Sequence, residues 1–63
     1  MFFFLKKEDG TYFTLKTLSG ETKDKIQATN FKNLKTATYW HNNHSVMFVP
    51  IKACGYEIVE ESI

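Results

Sequence analysis

The chain has no arginine, one cysteine, one proline and three glycines, and its longest apolar run is five residues. Each shortage excludes something. Arginine is the preferred residue for bidentate phosphate and guanine contacts, so a nucleic-acid reader of this size would rely on lysine alone. A single cysteine cannot close an internal disulfide, which removes the stapled secreted mini-proteins. The three glycines stand apart, so no glycine-rich phosphate loop is present. No apolar stretch approaches the roughly 18–20 residues of a membrane-crossing helix. There is no CxxC pair, and no glutamate stands where a HExxH helix needs one.

What remains is a short, aromatic, nearly neutral chain. Sixty-three residues allow one domain, spanning 1–63. A 16% aromatic content and a net charge of +1 are wrong for a disordered chain. A domain of about 60 residues buries only about 60% of its unfolded surface. Large apolar side chains, a metal or a partner subunit must then supply stability. The charge is uneven. Residues 1–52 hold all eight lysines against four acids, and residues 53–63 hold Glu57, Glu60 and Glu61 with no base. The start, Met1 to Leu5, is short for a secretion signal, and Lys6 and Lys7 follow it rather than precede it. With a free cysteine this leads to an expected cytoplasmic location, the host cytoplasm for a phage-encoded protein.

Residues 2–7 and 11–17 read as a β-hairpin around Asp9-Gly10, a strong turn signal. Phe13 and Leu15 are expected on one face of it, and Tyr12, Thr14 and Lys16 on the other. Lys23 to Ala28 reads as a short polar third strand, with Ile26 and Ala28 turned inward. Thr29 or Asn30 can cap a helix over about 30–42, with Phe31, Leu34, Ala37, Thr38 and His41 on one face. Asn42 and Asn43 supply a stop. Val46 to Val49 is a continuous, β-branched apolar run that reads as a strand ending at Pro50. Tyr56 to Glu60 reads as the last strand. The expected fold is α+β: an antiparallel sheet of four to five strands, in the order strand, strand, optional strand, helix, strand, strand, with the helix on one face.

The chemistry-bearing residues are few. His41, His44 and Cys54 are the only grouping with metal-ligand character, and they offer zinc three ligands without a fourth. The same cysteine and histidines show no orienting third group for covalent catalysis, and the acids show no paired acid–base spacing. No cofactor is expected. Lys6, Lys16 and Lys25 with Tyr12 can be read as a basic, aromatic sheet face for single-stranded nucleic acid. Tyr39 and Trp40, with Lys32 and Lys35, can be read as an anchor surface on the outer side of the helix.

Alternation sends Phe3 and Leu5 to one face of the first strand and Phe2 and Phe4 to the other. The run at 46–49 is likewise apolar on both sides. Two-sided strands need a second cover, and a homodimer through Phe2, Phe4, Met47 and Val49 would supply it. The expected function is a small non-enzymatic protein-binding module. Chain size and composition fit a phage or prophage accessory protein that binds and inhibits or redirects a host protein, such as a defence or transcription enzyme. A nucleic-acid-binding domain is the alternative, and no membrane role is expected.

Overall fold

The computed structural model describes all of residues 1–63. Strand β1 (Phe2–Lys6) turns through Asp9 and Gly10 into β2 (Tyr12–Phe13). The turn is built as Asp-Gly demands. Gly10 takes φ +91°, and the Thr11 amide donates to Asp9 Oδ1 at 2.9 Å. The expected hairpin is present, but its second strand ends after Phe13. Thr14 leaves the ladder because its hydroxyl donates to the Gln27 carbonyl at 2.6 Å. Leu15, expected on the same face as Phe13, is exposed while Phe13 is buried.

The next strand is β3 (Glu21–Thr22), which pairs with β2. The third strand expected at 23–28 is absent. Asp24 instead accepts from the Ile26 amide and caps a single 3-10 turn over Lys25–Gln27, and Ile26 is exposed. Strand β4 (Asn30–Phe31) follows, then helix α1 (Leu34–Asn43). The expected helix start was four residues too early. Phe31 belongs to the sheet, opposite Phe3. The true N-cap is Asn33, whose side-chain oxygen accepts from the Thr36 amide at 2.8 Å.

The expected strand over 46–49 is a miniature hairpin instead. Strands β5 (Ser45–Val46) and β6 (Val49–Pro50) pair with each other, with Met47 and Phe48 as the loop. A 3-10 turn at Ile51–Cys54 leads through Gly55 into β7 (Glu57–Glu61). The result is an α+β fold. The main sheet is antiparallel, in the order β3-β2-β1-β4, with β7 on the other side of β1. Strand β1 is central: β7 runs along its whole length, while β2 and β4 share its opposite side.

Both sheet faces are covered within one chain. On the helix side Leu5, Phe13, Phe31, Ala37, Ile51 and Tyr56 form the core, with Trp40 and Ile58 packed against it. On the far side Phe4, Tyr12 and Ala28 form a second cluster with Phe2 and Val59. The segment around the 3-10 turn at 25–27 brings Ala28 over that face. Phe4 is fully buried by these neighbours. It is covered within the chain, contrary to the expectation that a second subunit must cover it, and offers no exposed surface. Phe2 is half-buried at the edge of the same cluster.

Candidate protein-binding surface

The β5–β6 hairpin is the least ordinary part of the chain. A two-residue β-hairpin loop with both residues at positive φ is the geometry for which Asn-Gly or Gly-Gly is normally selected. Here the two positions are Met47 (φ 49°) and Phe48 (φ 69°). A side chain at positive φ costs of order 1–3 kcal/mol, and a bulky residue there is uncommon. Neither side chain recovers that cost by burial: Met47 is 70% exposed and Phe48 102% exposed.

The base of the hairpin is held firmly. The Ile51 amide donates to the His44 carbonyl at 2.9 Å, and the His44 amide donates to the Trp40 carbonyl at 3.1 Å. The His44 ring stacks on Trp40, with centroids 3.8 Å apart and planes 11° off parallel. Trp40 in turn packs on Phe31 and Phe13, at 5.8 and 6.1 Å. Beneath the hairpin, Gly20 lies so close to Val46 that an added Cβ would sit 2.5 Å from Val46 Cγ1. A shallow groove of about 170 Å³ opens beside the loop, lined in part by Leu15, Leu18, Val46 and Met47. Leu18 is fully exposed on its rim. A rigidly footed loop thus carries two large apolar side chains into solvent, beside two exposed leucines.

The residues singled out from the sequence fall in other places. On α1, Tyr39 is 57% exposed and Lys35 faces solvent, while Lys32, expected on the helix, is exposed just ahead of its N-cap Asn33. Trp40 does not join them, because its ring closes the core under the helix. The basic aromatic sheet face is not a stacking surface. Tyr12 is buried, with the Lys6 ammonium 5.0 Å over its ring. Its hydroxyl donates to Glu61 Oε1. Lys6 and Lys25 are both paired to the same carboxylate, at 3.1 and 3.2 Å. The Tyr12 hydrogen bond, with those of the two lysines, draws the Glu61 pKa down from 4.5 to about 2 despite partial desolvation. Three of the four residues proposed for nucleic acid are therefore occupied by one internal carboxylate; only Lys16 is free of it.

His41, His44 and Cys54 do not converge. No three His, Cys, Asp or Glu side chains are placed to hold a metal ion. His41 Nε2 donates to the Tyr56 carbonyl at 2.8 Å, and His44 is spent on the Trp40 stack. Of the expected dimer residues, Met47 and Val49 are exposed and Phe4 is not. The largest concavity, about 540 Å³, is an open polar depression lined by Lys6, Lys7, Glu8, Gly55, Glu57 and Val59. No helix is long and apolar enough to cross a membrane.

Sequence reasoning missed Phe48, Leu15 and Leu18. The signal for Phe48 was available: four apolar residues between Ser45 and Pro50 also fit two paired residues around a two-residue turn. The usual turn residues are missing there, which is why a strand was the natural reading. No protein-family model, curated protein or solved structure matches the chain.

Proposed function

We propose that the protein is a small non-enzymatic protein-binding module whose contact surface is centred on the β5–β6 hairpin tip. One observation carries this reading. Met47 and Phe48 sit at positive φ in a two-residue loop and are almost wholly exposed. A sequence selected only to fold would place Asn or Gly there. Large exposed apolar side chains on a rigid support are what interface hot spots are made of. Leu15 and Leu18 extend the patch, and the groove between them and Met47 gives a partner side chain a place to enter. Within this class we place the phage or prophage accessory role, in which the tip docks on a host protein and inhibits or redirects it.

The test is a photo-crosslinking phenylalanine analogue at position 48, with the same analogue at exposed Glu8 as control. The expected result is one discrete adduct from position 48 that is absent from position 8. The Met47→Asn/Phe48→Gly variant, added in excess, should fail to compete for it. Equal labelling from both positions would contradict the reading. The adduct mass identifies the occupant, including a second copy of this chain meeting through Met47 and Val49.

A further inference from the structure

We infer that the outer edge of β7 is a strand-addition site for an extended partner segment carrying the pattern basic–apolar–apolar–basic. The inference stands on a different part of the molecule from the hairpin tip and does not rest on it. Strand β7 pairs with β1 along five residues on one side and with no strand on the other. None of the backbone hydrogen bonds made by turns, loops and caps reaches residues 57–61. Its outer edge is thus the longest open edge of the sheet, as long as β1 itself.

The side chains on this edge specify what fits. Residues opposite each other in an antiparallel pair share a face. Glu57 and Val59 therefore lie on the Phe4 face, and Ile58 and Glu60 on the Leu5 face. Glu57 and Glu60 are exposed and neither is in a salt bridge, whereas Glu61 is committed to Lys6 and Lys25. Ile58 and Val59 between them are half-buried. A strand laid along this edge meets acid, apolar, apolar, acid. Its complement is a basic residue opposite each glutamate and an apolar pair between. The pattern is a palindrome, so it reads the same for a parallel or an antiparallel partner.

The chain's own β1 answers β7 in this way at three of the four positions, the exception being Phe3 opposite Glu60. Lys6 stands opposite Glu57, Leu5 opposite Ile58 and Phe4 opposite Val59. The full-length register with a second copy of β7, and one of its neighbours, set like charges against each other. Pairing two β7 strands about Val59 sets Glu57 against Glu61, and pairing about the Ile58–Val59 bond sets Glu57 against Glu60. Like charges directly opposite destabilise a ladder, and glutamates on an edge guard against self-pairing. The same charges admit a basic strand, as in peptide recognition by strand addition, where backbone bonds give affinity and alternate side chains give choice.

The test is amide-resolved NMR of the ¹⁵N-labelled full chain, titrated with the synthetic peptide acetyl-Thr-Lys-Val-Val-Lys-Thr-amide. Saturable shifts and slowed amide exchange are expected within 57–61. The peptide with glutamate in place of both lysines should bind about tenfold more weakly. A Glu57→Lys/Glu60→Lys variant, altered only at exposed side chains, should reverse that preference. The Met47→Asn/Phe48→Gly variant should bind the lysine peptide as the unmodified chain does, so failure at the edge and failure at the tip are read separately. Shifts spread over the whole surface, shifts centred on the hairpin tip, or no reversal by the double charge swap would overturn the inference. So would protection of 57–61 by self-association before any peptide is added.

Discussion

Glu61 joins the two ends of the chain. It accepts from Tyr12 and pairs with Lys6 and Lys25, so one carboxylate ties β7 to β1, β2 and the 3-10 turn that covers Phe4. Its folded pKa of about 2 lies below the ordinary 4.5. The stabilisation is then present above about pH 4.5 and is lost as the pH falls toward about 2. Unfolding free energies measured across that window should fall more steeply for the natural chain than for Glu61→Gln. Equal slopes would mean that the carboxylate is not held by this network. Gly20 is the second residue on which much depends. At φ +73°, with Val46 in the way of any Cβ, Gly20→Ala should destabilise by about 2 kcal/mol in denaturant titration. It should also displace the hairpin, seen as shifted Val46 methyl signals. Ser19-Gly20 is a local turn signal, but nothing local to it shows that the turn passes under a distant hairpin.

Among the elements, those with strong local signals were legible and those decided by long-range contacts were not. Asp9-Gly10 announced the first hairpin because the required φ is written in the glycine. The last strand was legible from Ile58 and Val59 between glutamates. The helix was placed, but its start was set by Phe31, whose helical spacing from Leu34 is coincidental. Phe31 is apolar because it pairs beside Phe3 in the sheet, and Leu34, its supposed neighbour on the inner face, is exposed. The cap settles the boundary. Asn33 Oδ1 accepts from both the Thr36 amide and the Thr36 hydroxyl, at 2.8 and 2.9 Å. Asn33→Ala should cost about 1 kcal/mol of stability by chemical unfolding, while Asn30→Ala, at the cap position expected from sequence, should cost far less in helix content. The reverse order would restore the earlier start.

At the scale of the whole molecule, 63 residues support a sheet covered on both faces. That coverage changes what the apolar composition means. The two-sided pattern of Phe2 to Leu5 implied a second subunit as long as one helix was the only cover in view. The chain instead folds residues 24–29 across the far face, a short polar segment whose only buried contribution is Ala28. Such a cover carries no periodicity and is invisible to pattern reading. The far-face apolar side chains are thereby largely accounted for, and the hairpin tip with its flanking leucines is left over. Of the candidate surface, Tyr39 and Lys35 were legible as exposed helix positions, Lys32 is exposed but precedes the helix, and the tip was hidden inside a run that looked like a strand.

We propose that Met47 and Phe48 are displayed for a partner and not for folding. The most direct measurement is the unfolding free energy of Met47→Asn/Phe48→Gly beside that of the natural chain. Relief of the positive-φ cost without loss of buried contact should make the variant more stable, by about 1–2 kcal/mol. A variant less stable than the natural chain would show that the two side chains hold the fold together, and would contradict the account.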